Sequence, residues 1–238
     1  MARQDAFFLP PGDWVEPYVL AGEEARHLIG VLRARPGDTV RLFDGAGREG
    51  VFRIESIARR EATLSPIEIT QGERPDGVTL AVGWNKAARR TWLLEKAVEL
   101  EARGLVFWQA ARSQGAVPQA AKETWQGPMI AAAKQCGNPW LPELSTLPGG
   151  IDELVALGRT FPRRYLLWAG PEAGLFDPAE AARGDSLLVL GPEGGFTPEE
   201  GRTFSDAGFV PVSLGRRVLR LETAAVLALG LAFWARAG

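Results

Sequence analysis

The hydrophobic and polar positions of this chain follow two different patterns, one before and one after residue 72. In the first part, short segments alternate apolar and polar residues, as half-buried β-strands do, and one segment has helical spacing. The predicted strands are residues 18–20, 39–44, 51–57 and 62–69, and the predicted helix is 22–33. Several short strands and one helix in so short a stretch predict a small β-barrel.

The second part alternates short, continuous apolar runs with segments of helical spacing. Such runs are typical of strands buried on both faces, and helices between them predict an α/β fold with a parallel sheet. The predicted strands are 78–82, 105–108, 165–168, 187–190 and 210–213, and the predicted helices include 87–102, 122–136 and 151–157. A polar stretch with Gly and Pro at 71–77 separates the parts, so we predict domains at 1–72 and 73–238.

Two loops in the second part are candidates for a ligand site. Gly191-Pro-Glu-Gly-Gly195 directly follows the apolar run 187–190, and residues 214–221, with three arginines, follow the next strand. Ligands of open parallel sheets bind beyond the carboxyl ends of the strands, and glycines let the backbone approach a ligand closely. The pair of loops therefore predicts one shared site, with two ordinary tight turns as the alternative.

Composition narrows the function classes. The formal net charge is -2 and the pI about 5.7, which argues against a protein that coats nucleic acid non-specifically. The basic residues are 23 Arg and 4 Lys. Arginine suits contacts with phosphates and base edges, although genomic base composition explains the excess equally well. The dinucleotide-binding and P-loop glycine patterns are absent from the sequence, as is any metal-ligand pattern, so we expect no metal.

The single cysteine and the apolar runs indicate the compartment. Cys136 is the only cysteine, so it cannot form an intramolecular disulfide, which favours a reducing environment. The N-terminus lacks a signal-peptide pattern, and the longest apolar stretch is shorter than a membrane span. We therefore expect a cytoplasmic protein without a membrane partner.

Four sequence blocks together resemble a known family. Gly191-Pro-Glu-Gly-Gly-Phe-Thr-x-x-Glu200 and Leu214-Gly-x-Arg-Val-Leu-Arg-x-Glu-Thr-Ala224 resemble motifs of the RsmE family, the bacterial 16S rRNA (uracil-N3)-methyltransferases of the SPOUT class. Arg26-His-x-x-x-Val-Leu-Arg33 is similar to the family's N-terminal signature, and residues 94–100 and 133–137 resemble its two middle segments. The blocks occur in the family's order along nearly the whole chain.

The resemblance implies a fold and a cofactor. It implies a C-terminal SPOUT methyltransferase domain with a mainly parallel sheet and a trefoil knot, an N-terminal PUA-like β-barrel that helps to bind RNA, and a homodimer. S-adenosylmethionine (SAM) would lie in the knot, held by the loop after Trp168 and by the two loops above. The implied cofactor-binding residues are Trp168, Leu190, Gly191, Pro192, Glu193, Gly194, Gly195, Leu214, Gly215, Val218, Leu219, Leu221 and Thr223.

The implied reaction is transfer of the SAM methyl group to N3 of a specific uridine in the 16S rRNA of the small ribosomal subunit. N3 must lose its proton, and Arg220 is our candidate to stabilise the resulting anion. Glu222 is a candidate base, although water could serve and a favourable charge at a helix start explains Glu222 equally well. The candidate RNA-binding residues are Arg26, Arg33, Lys86, Arg89 and Gln135.

Three positions depart from the family pattern: Leu221 replaces a usual Thr, Glu101 a usual Gly and Asn138 a usual Arg. The last helix carries Ala224, Ala228 and Ala232 as a stripe of small residues, which either the subunit itself or a dimer partner would bury. Two alternatives to the implied function stay open. One is a SPOUT methyltransferase that acts on tRNA or large-subunit rRNA, and the other is a non-catalytic RNA-binding assembly factor.

Overall fold

The computed structural model describes residues 5–168, 170 and 173–237, and the chain divides into two compact units. The first unit contains Met1–Arg74 and Ile130–Leu141, and the second contains Pro75–Met129 and Pro142–Gly238. Both units are therefore made from two separate segments of the chain. Within the described residues, no helix is both long and apolar enough to cross a membrane.

The first unit is built on a five-stranded sheet. Its strands, in the spatial order β1-β3-β4-β5-β2, are β1 (Ala6–Phe8), β3 (Thr39–Phe43), β4 (Arg48–Ile57), β5 (Glu61–Gln71) and β2 (Tyr18–Ala21). All strand pairs are antiparallel except β1 with β3. Alternate residues of the long strands face one apolar core, where Phe7, Leu42, Phe52 and Ile54 are buried. The strand pattern predicted from the alternation is thus confirmed.

Residues 130–141 pack against this sheet through specific contacts. The guanidinium of Arg41 donates to the carbonyl of Gly137 at 2.9 Å. Lys134 donates to both carboxylate oxygens of Glu24 at 3.0 and 2.8 Å. A β-carbon at Gly47 would lie 2.0 Å from the ring of Trp140, so only glycine permits this close packing.

The second unit is an α/β structure, as predicted, and its sheet has seven strands. In spatial order its strands are β10 (Gly174–Leu175), β12 (Val210–Ser213), β9 (Arg163–Leu167), β11 (Ser186–Leu190), β6 (Val78–Gly83), β7 (Gly104–Trp108) and β8 (Glu143–Leu147). Every neighbouring pair is parallel. The central strands β6, β7 and β11 are buried along their whole length, which explains their uninterrupted apolar sequence.

Seven α-helices accompany the strands of the described residues. They are α1 (Gly22–Arg26), α2 (Ala87–Glu99), α3 (Gln126–Cys136), α4 (Ile151–Gly158), α5 (Pro178–Ala181), α6 (Pro198–Asp206) and α7 (Leu221–Ala237). The helix predicted at 22–33 is wrong in its second half, because a π-helical turn at His27–Val31 follows α1. The helix predicted at 122–136 begins with a 3-10 turn, Glu123–Trp125.

The sequence patterns missed β8 and β10. Both lie at the edges of the sheet, and none of their residues is fully buried, so neither shows an uninterrupted apolar run. The backbone also accounts for one departure from the family pattern. Glu101 follows α2 with φ 53°, in the left-handed region, where glycine is the residue with the least strain.

Candidate active site

The carboxyl ends of three neighbouring strands, β9, β11 and β12, lie beside one cavity. Leu190 at the end of β11 is in register with Leu167 of β9, and Leu167 is in register with Val212 of β12. The cavity has a volume of about 760 Å3, within the roughly 300–1,000 Å3 range of small-molecule sites. Two segments form its walls, which we call the glycine loop (residues 191–196) and the arginine loop (residues 214–220).

The glycine loop is held closely by the strand beside it. A β-carbon at Gly83 of β6 would lie 2.5 Å from the backbone nitrogen of Pro192, so any larger residue there would push the loop away. The indole nitrogen of Trp108 donates to the carbonyl of Leu190 at 3.1 Å, just before the loop. Inside the loop, the N–H of Gly195 donates to the carbonyl of Pro192 at 2.8 Å, with Gly195 at φ 69°.

A capped helix follows the glycine loop. The Thr197 hydroxyl accepts from the N–H of Glu200 at 3.1 Å, and the Glu200 carboxylate accepts from the N–H of Thr197 at 2.8 Å. This reciprocal capping box starts α6 and fixes the direction in which the chain leaves the loop.

The arginine loop has few such restraints. Among the described residues, the side chains of Arg216, Arg217 and Arg220 form neither an ion pair nor a hydrogen bond, and all three are exposed. Val218 is 88% exposed. The loop ends where α7 begins at Leu221, with Glu222 in the first helical turn. The guanidinium groups of this wall are therefore available to an external ligand.

Arg89 links the glycine loop to the first turn of α7 electrostatically. From the third position of α2 it donates to the Glu193 carboxylate of the glycine loop. Its Nε also lies 3.8 Å from Oε2 of Glu222, too far for a hydrogen bond but close enough for an ion pair. Oε2 of Glu222 is buried and has no hydrogen-bond partner within the described residues. A buried carboxylate oxygen in this condition can accept a hydrogen bond from a donor group of a ligand.

The structure brings nearly all of the sequence-predicted site residues together. Arg220, Glu222 and the predicted cofactor-binding residues line the cavity, with one exception, Thr223. Thr223 lies in the first turn of α7, which already begins at Leu221, and its side chain is exposed. Trp168 packs its indole on Gly201 of α6, and part of the loop after it, residues 169, 171 and 172, lies outside the described residues.

The predicted RNA-binding residues fall in both units. In the first unit, Arg26, Arg33 and Gln135 are exposed, and Arg26 pairs at 3.3 Å with Glu23, which is still more exposed. In the second unit, Lys86 is exposed just before α2, whereas Arg89 lines the cavity.

Arg90, the neighbour of Arg89, has a different surrounding. Its guanidinium lies 3.8 Å from the ring centroid of Trp84 and donates to the carbonyl of Asn85. Burial lowers the pKa of Arg90 from its ordinary value because it removes the charge from water. Arg90 therefore has a packing role at the start of α2 rather than a free charge.

Sequence reasoning missed one charged residue of the cavity wall, Arg112. It lies in the loop after β7 and donates to carbonyls of the glycine loop. An arginine four residues after the end of the apolar run 105–108 was the available signal. Recognising it required the strand order, which places β7 next to β6 and β6 next to β11.

Two family models define the class of protein. The model described as an RNA methyltransferase domain matches residues 72–232, and the model described as an RNA methyltransferase PUA domain matches residues 20–67. The fold is accordingly that of α/β SPOUT methyltransferases with an N-terminal PUA domain.

Individual relatives narrow the class to a family. Ribosomal RNA small subunit methyltransferase E of Mycobacterium bovis is 34% identical over 89% of this chain and 84% of its own. The Bacillus subtilis protein of the same name is 28% identical, over 89% and 88%. The crystal structure of that enzyme from Neisseria gonorrhoeae, bound to S-adenosyl methionine, is 28% identical, covers 95% of both chains and has a TM-score of 0.79. The chain belongs to the ribosomal RNA small subunit methyltransferase E family.

The cavity residues fit SAM. Glycine backbone at the carboxyl ends of parallel strands gives close access to N–H and carbonyl groups, and Leu190, Leu219 and Leu221 supply apolar surface. SAM carries a positive sulfonium, and the carboxylates of Glu193 and Glu222 line the same cavity. The unpartnered oxygen of Glu222 is one group in this wall that a bound ligand would satisfy.

Proposed function

We propose that this protein transfers the methyl group of SAM to N3 of a specific uridine in the 16S rRNA of the small ribosomal subunit. The observation that carries the proposal is the single cavity between the glycine loop and the arginine loop, in a chain of the methyltransferase E family. When bound, SAM supplies an electrophilic methyl group. The protein residues then have to hold the donor, orient the uracil and remove the N3 proton.

The two walls divide this work in our proposal. Backbone groups of Gly191, Gly194 and Gly195 hold the donor, together with the other predicted cofactor-binding residues that line the cavity. Thr223 contributes only through its place in α7, since its side chain is outside the lining. The fixed shape of the glycine loop supports this assignment, because hydrogen-bonding groups that are already in place need no reorganisation when SAM binds.

The groups that we propose to act on the uracil lie on the arginine-loop side of the cavity. Loss of the N3 proton leaves negative charge on the uracil ring and its two carbonyl oxygens, and the free guanidinium of Arg220 can stabilise that charge. Glu222 is the proposed proton acceptor, because its buried Oε2 lacks a hydrogen-bond partner among the described residues. Arg89, between Glu193 and Glu222, holds the two carboxylates in place. We therefore propose that Arg89 supports the cavity wall and does not bind RNA.

RNA binding is proposed for Arg26, Arg33, Lys86 and Gln135, all exposed, and for the exposed arginines beside the cavity. The uracil must leave its stack to reach the cavity, and phosphate contacts would hold the flanking nucleotides. We place the protein in the cytoplasm, where the small ribosomal subunit is assembled. The trefoil knot implied by the family stays a prediction.

We also propose a homodimer that forms through α7. The alanine stripe does not supply the contact face, since Ala228 and Ala232 are buried within the chain itself. Leu227, Leu231 and Trp234, at helical spacing, lie on another face, where Leu227 is 38% and Trp234 78% exposed. Replacing Trp234 by Lys should give monomers in analytical ultracentrifugation, and an unchanged sedimentation coefficient would contradict this dimer.

The function is tested with purified protein, methyl-labelled SAM and small ribosomal subunits from cells that lack this gene. We expect one methyl group per subunit, located by mass mapping at N3 of one 16S rRNA uridine. Parallel reactions with tRNA and with large subunits test the other substrates. A labelled tRNA or large-subunit product would replace the proposed substrate, and undetectable SAM binding in calorimetry would favour the non-catalytic assembly factor.

A further inference from the structure

The loop after β7 reaches the glycine loop with a charged side chain. Nη1 of Arg112 donates to the carbonyl of Gly194 at 2.8 Å and to that of Phe196 at 3.3 Å. The aliphatic part of the same side chain covers Gly194: a β-carbon there would lie 3.0 Å from Cβ and 3.2 Å from Cδ of Arg112. The absence of a side chain at Gly194 therefore makes room for the arginine, which spans two carbonyls of the loop.

The backbone of the Arg112 loop is itself anchored. The N–H of Ala111 donates to Oε1 of Glu200 at 2.8 Å, while Oε2 of the same carboxylate accepts from the N–H of Thr197. A capping box needs only the second of these bonds. Glu200 is just 6% exposed, so the additional bond joins the start of α6 to the loop that carries Arg112. The buried Glu200 carboxylate thus holds both the start of α6 and the loop that carries Arg112.

Local bonds fix the rest of the Arg112 loop. The N–H of Ala110 donates to the Ser113 hydroxyl at 3.0 Å, and Ser113 returns a backbone bond of 3.0 Å to Ala110. The Gln109 amide accepts from the N–H of Val117 at 2.8 Å. Arg112 therefore projects from a turn that hydrogen bonds fix, and its direction toward the glycine loop does not depend on a bound ligand.

We propose that Arg112 and Glu200 are positioning residues that keep the glycine loop in the shape that receives the methyl donor. The proposal deepens the function above and rests on it. A loop of three glycines has more backbone freedom than other loops, and ordering it on binding would weaken donor affinity. Arg112 and Glu200 provide this order beforehand. Their loss should weaken donor binding while turnover at saturating SAM is largely kept.

The first test uses Arg112→Met, which keeps the aliphatic part and removes the donors, with Arg202→Met as the matched control. Arg202 is an exposed arginine of α6 whose side chain has no hydrogen bond or ion pair in the described part of the chain. In the protein without ligand, Arg112→Met should raise amide hydrogen exchange at residues 191–197 about tenfold, and Arg202→Met should not. Unchanged exchange in Arg112→Met would overturn the proposal, whether or not the protein binds SAM.

Calorimetry with SAM and steady-state kinetics separate this role from RNA contact. Arg112→Met should raise the Kd for SAM about tenfold and change kcat at saturating SAM by less than about threefold. Arg112→Lys should restore part of the affinity, because an ammonium group can also donate to the two carbonyls that Nη1 of Arg112 binds. A loss confined to the KM for RNA would show that Arg112 acts as a charge for RNA and would contradict the proposal.

Glu200 is tested against Thr197, its partner in the capping box. Glu200→Gln leaves one carbonyl oxygen for two N–H donors, so it should raise the Kd for SAM about tenfold. Thr197→Ala removes only the cap and should lower the Tm by about 3 °C with SAM affinity unchanged. If both variants weakened SAM binding equally, Glu200 would act only through the helix start. If the native protein bound no SAM, the proposed function would fail, while the exchange experiment would still decide the role of Arg112.

Discussion

The glycine loop and the arginine loop follow adjacent parts of the same sheet and face the same cavity, yet they are built in opposite ways. Neighbouring strands, the Glu200 carboxylate and Arg112 hold the glycine loop on several sides. The arginine loop carries three guanidinium groups without partners among the described residues, and Val218 there is 88% exposed. A loop that binds a small donor gains from a fixed shape, whereas one that receives a flexible RNA gains from free charges.

The largest effect that this contrast predicts is a loss of turnover when an arginine of the arginine loop is replaced. Arg220→Ala should lower kcat by about 100- to 1,000-fold, the usual loss when one donor to a developing oxyanion is removed. The Kd for SAM should stay within about twofold, because Arg220 is not one of the predicted cofactor-binding residues. Single-turnover methylation and calorimetry measure the two quantities.

Arg216→Ala is the matched control for Arg220→Ala, since Arg216 is an exposed arginine of the same loop that does not line the cavity. Its kcat should stay close to that of the native protein. Equal losses in the two variants would mean that the arginine loop contributes only overall charge, and the contrast between the walls would then disappear.

Glu222→Gln should lower kcat by about 100-fold, because the amide cannot accept the N3 proton. The Gln side chain keeps the size of Glu222, and the stability should change by no more than about 1 kcal/mol, the contribution of a charge at a helix start. Single-turnover rates and thermal unfolding of the same preparations test both statements. A variant with native turnover and a lowered Tm would leave Glu222 with a role in α7 alone.

Much of this site was predictable because the glycine loop directly follows a buried apolar strand, β11, and the arginine loop directly follows the next strand of the chain, β12. The sequence blocks around Gly191 and Arg220 marked both walls, and the parallel sheet placed them at one edge. The positions of Arg112 and Arg89 in the site could not be predicted in this way. Arg112 reaches the site only because β7 is near β11 in the sheet, and Arg89 was assigned to RNA because its partners Glu193 and Glu222 are distant in sequence. Contacts set by strand order have no periodic signal along the chain.

Gly83→Ala, at the end of the neighbouring strand β6, should disturb the fixed shape of the glycine loop. The new β-carbon would meet the backbone nitrogen of Pro192 at 2.5 Å, so the loop has to shift. We expect the free energy of unfolding to fall by about 1–3 kcal/mol and the Kd for SAM to rise about tenfold. Gly127→Ala in α3 is the control, since a β-carbon there meets nothing within 4 Å. Native SAM affinity in Gly83→Ala would show that the loop does not need its fixed shape.

The smallest predicted effect concerns RNA and sharpens the contrast between two of the arginines that line the cavity, Arg112 and Arg217. Arg217 is exposed and has no side-chain partner among the described residues, so it is free to neutralise a phosphate. Arg217→Ala should weaken RNA binding by only about threefold to tenfold, but the slope of log K against log salt should fall by about 1. Arg112→Met should leave that slope unchanged, because its guanidinium is engaged with Gly194 and Phe196. Filter binding at four salt concentrations measures both slopes, and equal slopes for the two variants would mean that both walls meet the RNA.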